Sequence, residues 1–165
     1  MDVDLALIVL RFALGPMLVL HGMNKLSGAG GIAGTTGWFE ALGLRPAWLH
    51  ARVAAVVEIG AGVLVTVGLL TGPAATACVG LMVVAMLTDH RGKGYFVFTG
   101  GWEYVLLVAM CAVALAVGGP GRWSLDQALG LSSSGLWWAA IAAFGGTAAA
   151  LLLLVVSHRP AAPSD

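Results

Sequence analysis

The chain has 165 residues, 59% of them hydrophobic and only 10% charged, with eight basic and eight acidic side chains cancelling to zero net charge. Soluble domains carry about a quarter charged residues, and a chain this small has too little interior to hide so much apolar surface from water. The composition excludes a soluble core domain and offers no basic surface for nucleic acid; lipid is the solvent that fits it.

The first apolar segment covers residues 4–22 and carries Arg11 near its middle. It opens MDVDLAL, acidic rather than basic, and no small-residue cleavage site follows a short apolar core. It is therefore expected to remain as a span rather than leave as a leader. A Gly-rich stretch over residues 24–50 comes next. Within it Trp38, Phe39 and Leu42 recur at near-helical spacing, which predicts a short helix lying at the membrane interface. The second span is predicted over residues 51–70. "LTGP" then forms a tight turn, with Pro73 at or near the start of a third span that ends near Thr88. The polar loop "DHRGKGYFVFTGG" leads into a fourth span over residues 102–117. In the following loop, "GGPGRWSLDQALGL", Ser124 with Gln127 three residues later reads as a capping box and Gly130 as a stop. A fifth span covers residues 136–156, and the tail over residues 158–165 is expected to be disordered.

The fold expected is an all-α integral membrane protein. A four-helix transmembrane bundle over residues 1–130 includes the interfacial stretch 24–50, and an extra C-terminal transmembrane helix follows over 131–157. Five crossings put the termini on opposite sides. Lys25, Arg45, Arg52, Arg91, Lys93 and Arg159 then share one side, while Arg122 stands on the other with Asp2, Asp4 and Asp126. The positive-inside rule makes the basic side cytoplasmic, with the N-terminus outside. Trp38, Trp48 and Trp102 fall near one predicted interface and Trp123, Trp137 and Trp138 near the other. Cys78 and Cys111 lie inside apolar segments and read as packing residues.

An unpaired charge in the bilayer costs several kcal/mol, so intramembrane ionisable groups are functional candidates. Measured from the predicted cytoplasmic ends, Arg11 and Glu58 lie within about one helical turn of each other in depth, which predicts that they pair. Arg11, Gly15, Leu18, Gly22 and Lys25 share one face of the first span; Ala51, Ala55, Glu58, Gly62 and Thr66 share one face of the second. The small residues on both faces let the backbones approach. Nearer the rim, His21, Lys25, Asp89, His90 and Glu103 come from three segment ends at one level and would complete a polar funnel open to the cytoplasm. The alternative reading of the Arg11–Glu58 pair is purely structural, fixing helix register. Glu103 is also explained by the helix dipole alone. There is no Cys-x-x-Cys, no Gly-rich phosphate loop and no His pair at ligand spacing within a helix, so neither a metal nor a nucleotide is expected.

"LRFALGPMLVLHGMNKL", "WFEALGL" followed by "VVEIGAGVLVTVGLLTGPAA", "HRGKGYFVFTGGWEYVLLV" and "GPGRWSLD" occur in that order over about residues 5–130. Together they resemble the DoxX family. The resemblance implies a small multi-pass protein of the bacterial plasma membrane with a four-helix core. Its relatives include the membrane subunit of a thiosulfate:quinone oxidoreductase and components of assemblies dealing with thiol and oxidative stress. Arg11, His21, Lys25, Glu58, His90 and Glu103 match its charged pattern. The functional expectation is an oxidoreductase membrane subunit that takes a quinone. His21, Lys25 and His90 would bind the head group, Glu58 and Glu103 exchange protons, and Arg11 stabilise negative charge. Electrons would come from a partner subunit, a second copy or a soluble redox protein on the cytoplasmic side. The alternatives are a non-catalytic anchor of a larger complex and a carrier for a small solute or protons. The fifth span lies outside the resemblance.

Overall fold

Apolar segments with few charges have one way to satisfy their backbone in lipid, which is to bond it internally as helix. A computed structural model describes residues 2–160 and shows this throughout. The helices are α1 (Asp2–Ser27), α2 (Gly31–Ala41), α3 (Ala47–Val67), α4 (Thr71–Leu87), α5 (Glu103–Gly118), the single turn α6 (Leu125–Ala128) and α7 (Leu136–Ser157). No strand occurs among the described residues. Three helices, α1, α3 and α7, are long and apolar enough to cross a membrane on their own. The apolar helices α4 and α5 are shorter, with 17 and 16 residues, or about 25 Å of rise each.

Five apolar helices are therefore present, as expected from the sequence, and α2 forms where a short helix was expected, with Phe39 buried and Trp38 exposed. The Ser124 cap also forms: its Oγ accepts from Gln127 N–H at 3.3 Å. Trp48 is exposed at one end of the molecule, and Trp123 and Trp137 at the other.

Small residues set the tightest packing. Gly15 and Gly22 of α1 meet α3 so closely that a Cβ on Gly62 would come within 2.6 Å of the Gly15 carbonyl, and one on Gly22 within 2.8 Å of the Ala55 carbonyl. The buried face of α1 is Arg11, Leu14, Gly15, Leu18 and Gly22, and α3 buries Ala51, Ala55, Glu58, Ala61, Gly62 and Val65. They share Arg11, Gly15, Leu18 and Gly22, and Ala51, Ala55, Glu58 and Gly62, with the faces read from the sequence; Leu14, Ala61 and Val65 join them, and Lys25 and Thr66 are only partly buried. The main core lies between α1, α4, α5 and α7, built on Leu14, Leu18, Cys78, Val79, Val108 and Leu115; Cys78 and Cys111 are free thiols.

α7 widens into a π-helical turn at Ile141–Gly145. Beyond it, Gly146 sits against α4, where a Cβ would lie 2.7 Å from the Thr76 carbonyl. The end of α7 is fastened to the loop after α2. Arg45 N–H donates to Ser157 O at 2.8 Å, Arg159 N–H to Gly43 O at 2.6 Å, and Leu44 and His158 form an isolated β-bridge. The tail expected to be disordered is thus held through residue 160; residues 161–165 lie outside the described part of the chain.

Candidate functional site

The antiparallel packing of α1 on α3 fixes which side chains meet. Gly22 faces Ala55 and Ile59, and Gly15 faces Gly62 and Thr66. Glu58 is therefore level with His21 and Gly22. Lys25, one turn further along, reaches back to it, as helical side chains lean toward their own N-terminus. Its ammonium spans both carboxylate oxygens, at 2.8 Å from Oε1 and 2.7 Å from Oε2. The pair is largely withdrawn from solvent, with Glu58 7% exposed. Trp38 lies with its ring centroid 6.0 Å from the Lys25 nitrogen, and the Lys25 carbonyl accepts from Thr35 Oγ1 at 2.9 Å, which ties α2 onto the site.

This pair lines a cavity of about 820 Å³ bounded by α1, α2, α3, α4, α5 and α7. Its long walls are apolar, including Val57 of α3, Leu81 and Val84 of α4, and Ala149 and Leu153 of α7. Among the described residues α3 and α7 make no extended contact along the cavity, while Leu153 and Leu154 of α7 pack on the Phe39, Leu44, Ala47 and Ala51 cluster at one end of it. His21 and His90 also line it. The His21 Nδ1–H donates to Met17 O at 2.9 Å and the His90 Nδ1–H to Gly100 O at 2.6 Å, which leaves each Nε2 as an acceptor. Asp89, also on the lining, lies 3.9 Å from His90 Nε2 and 3.3 Å from Lys93 Nζ.

Four of the six predicted site residues, His21, Lys25, Glu58 and His90, are therefore brought together. Arg11 and Glu103 are not. The expected Arg11–Glu58 ion pair is absent, because α1 runs past His21 to Ser27 and the helix register sets Glu58 ten residues, about 15 Å, away from Arg11 along α1. Arg11 instead lies level with the end of α3, 3% exposed, and donates to four carbonyls. Nε reaches Val65 O at 3.2 Å, Nη2 Thr66 O at 2.7 Å, and Nη1 both Pro120 O at 2.9 Å and Trp123 O at 2.8 Å. The last carbonyls of a helix have no partner within it and form the negative end of its dipole, so a guanidinium there is doubly satisfied. Gly68 makes room: its φ of +65° favours glycine, and a Cβ would lie 2.9 Å from Arg11 Cζ. Glu103 is not among the cavity-lining residues; its Oε2 accepts from Val97 N–H at 2.9 Å and closes the loop before α5.

The same junction holds a residue that the sequence reading counted only as a charge on the less basic side. Asp126, 2% exposed, accepts from Leu70 N–H at 2.7 Å, Thr71 N–H at 3.0 Å, Thr71 Oγ1 at 2.7 Å and Ser133 Oγ at 2.6 Å. It thus caps the start of α4 from a different segment. Burial pushes its carboxyl group up, but the hydrogen bonds from Ser133, Thr71 and Leu70 outweigh that and hold it below the ordinary value. Tyr104, whose hydroxyl donates to Met17 Sδ on the cavity wall, was likewise missed. Neither partnership has a local signal, since the partners lie 55 and 87 residues apart.

The DoxX family model matches residues 6–91, which include most of α1 and all of α2, α3 and α4, and with them Lys25, Glu58 and His90. An uncharacterized membrane protein of Mycobacterium tuberculosis, Rv3486, is 31% identical over 134 residues, covering 75% of this chain and 81% of its own length. The inner membrane protein YphA of Escherichia coli is 30% identical over 130 residues, covering 73% of this chain and 88% of its own. No solved structure matches the chain. With a helical, lipid-compatible fold and more than half of its length matched, the chain belongs to the DoxX family of membrane proteins.

Proposed function

We propose that this protein is the membrane subunit of a quinone-linked oxidoreductase system, with its basic end facing the cytoplasm. The reading rests on one observation: a largely apolar cavity walled by α3, α4 and α7 is also lined by an ion pair that is already neutralised from within. Its volume falls in the range of about 300–1,000 Å³ usual for small-molecule sites. An anionic head group there would face the Glu58 carboxylate. A neutral one with a carbonyl or hydroxyl oxygen would not, and Lys25 has a donor to offer it, because two of its three N–H groups go to Glu58. The apolar walls along α3, α4 and α7 accommodate an isoprenoid tail.

A bound quinone supplies the redox chemistry, accepting electrons and protons together. The chain's own residues hold and hydrate it. Lys25 donates to a head-group oxygen, and Trp38 flanks the ion pair. Glu58 and the Nε2 atoms of His21 and His90, the latter 3.9 Å from Asp89, can take protons next to it, on the side where the basic residues gather. Electrons reach the site from a partner subunit or a soluble thiol donor. The small-residue faces that an anchor would present to other helices are consumed between α1 and α3, which favours a binding role.

The test is purification in native lipid followed by extraction and mass spectrometry. Quinone is expected near one equivalent per chain and is lost in Lys25→Met. Quinone at the level of bulk lipid, unchanged by that substitution, would refute the reading.

A further inference from the structure

The loop between α4 and α5 reads as a polar connection in the sequence, yet its tip is apolar. Tyr95, Phe96 and Val97 are each about half exposed and Phe98 is 82% exposed. The Phe96 and Phe98 rings stack with centroids 5.2 Å apart, and Tyr95 packs edge-on against Phe96 and Trp102. The backbone of the same loop is bonded internally around a single 3₁₀ turn at Val97–Thr99. Glu103 N–H donates to Tyr95 O at 2.8 Å, Gly101 N–H to Phe96 O at 2.9 Å and Gly100 N–H to Val97 O at 2.9 Å. Thr99 Oγ1 donates to Lys93 O at 3.0 Å, and the Glu103 carboxylate takes the Val97 N–H. A loop in water has no need to bond its backbone internally and gains nothing from bare rings. Both features fit a lipid interface, where unpaired backbone is costly and apolar side chains are welcome.

The depth of the loop agrees. α5 packs antiparallel to α1, with Gly118 against Leu7 and Gly121 against Asp4. Both helices rise by about 1.5 Å per residue, so counting back to the start of α5 sets Glu103 level with Gly22. There the unbroken apolar run of α1 gives way to His21 and Lys25, which marks the edge of the hydrocarbon at the basic end. Arg91 and Lys93, both exposed, stand at the root of the loop, and Lys93 bonds Asp89 at 3.3 Å. An apolar tip beside cations at this level is the composition of a segment lying in the interface, with rings among the acyl chains and cations among the phosphates.

We propose that Phe96, Val97 and Phe98 seat this loop in the headgroup layer of the bilayer at the basic end, and that the partner they fit is a phospholipid surface. The loop then runs along the membrane instead of projecting from it. A soluble protein or a second copy docking on the tip would need the rings clear of the membrane, and the level of the loop puts lipid there first. The seat is independent of what the cavity binds.

The probe is a tryptophan at the tip. Phe98→Trp keeps an aromatic ring on Phe96 and is expected to melt at the wild-type temperature. The full-length protein is placed in nanodiscs of phosphatidylcholine and phosphatidylglycerol, with and without bromine on the upper acyl carbons, and the wild-type emission is subtracted. The added emission should lie to the blue of tryptophan in water, lose most of its intensity to brominated lipid and lose little to aqueous iodide. Quenching by iodide and not by bromine would place the tip in water and overturn the proposal. Quenching by neither would put another protein surface over the tip and overturn it as well. Phe96→Trp repeats the measurement should Phe98→Trp melt lower, with the same outcomes.

Discussion

Lys25 straddles the two oxygens of Glu58 across 33 residues of sequence, at 2.8 and 2.7 Å, and so joins the end of α1 to the middle of α3 beside an apolar cavity. A buried pair is strongly coupled: removing one partner leaves an uncompensated charge, whereas removing both need not be harmful. Lys25→Met and Glu58→Leu are each expected to destabilise the protein. The Lys25→Met cost is on the order of 3 kcal/mol. The double variant Lys25→Met, Glu58→Leu should recover most of that loss. Thermal melting of all three in the same detergent checks this, and equal, additive losses would contradict it. Ligand retention should not recover with the double variant, because Lys25 and Glu58 both face the cavity.

Arg11 gives the opposite expectation. Its four carbonyl partners join α1, the end of α3 and the loop before α6. Arg11→Lys keeps the charge but has no planar fork to reach four oxygens at once. The melting temperature should fall, with a loss of about 3 kcal/mol, while affinity for the cavity ligand stays at the wild-type value because the site is about 15 Å away. Paired melting and binding measurements on one preparation decide the matter.

Acid should loosen the junction at Asp126. Its carboxyl group is held below its ordinary value in the folded protein. The stability it contributes is therefore fully present above the unfolded-state value near pH 4 and is lost as pH falls from there through the folded-state value. Asp126→Asn removes the titrating group and leaves an amide that cannot accept at both positions. The variant should melt lower at pH 7 and show a flatter decline between about pH 5 and pH 2. Parallel acid-side slopes for the two proteins would rule out this assignment.

The α1–α3 seam has no slack. A Cβ at Gly62 meets Gly15 O at 2.6 Å and Val19 N at 2.8 Å, both backbone atoms that a rotamer change cannot move. Gly62→Ala is expected to cost about 1–3 kcal/mol and to pull Lys25 and Glu58 apart. Gly60→Ala, where a Cβ meets nothing within 4 Å, serves as its control. Melting temperatures of the two variants provide the comparison.

The apolar helices, the short helix α2 and most of the buried faces were legible in the sequence because each depends on local hydrophobicity and a helical period. The centres of the two faces were read correctly, at Arg11, Gly15, Leu18 and Gly22 on α1 and at Ala51, Ala55, Glu58 and Gly62 on α3. Their relative height was not, since that depends on where each helix ends: α1 continues to Ser27, past the point where its unbroken apolar run stops at His21. An error of that size moved Arg11 from its place at the end of α3 to an imagined partnership with Glu58. Asp126 and Tyr104 were illegible for a different reason. Their partners, Thr71 and Met17, come from other helices, and no short motif announces them.

The π-helical turn at Ile141–Gly145 has a consequence for α7 as a whole. One surplus residue per wide turn offsets everything downstream by about 100° around the helix axis. Deleting Ala143 would let the segment wind regularly and swing Gly146 and Ala150 off α4, replacing their flat contact with bulkier aliphatic side chains. The cavity wall that α7 supplies would then be refaced without altering any charge, so its shape is tuned by a single-residue change of phase in a helix that lies beyond the family match.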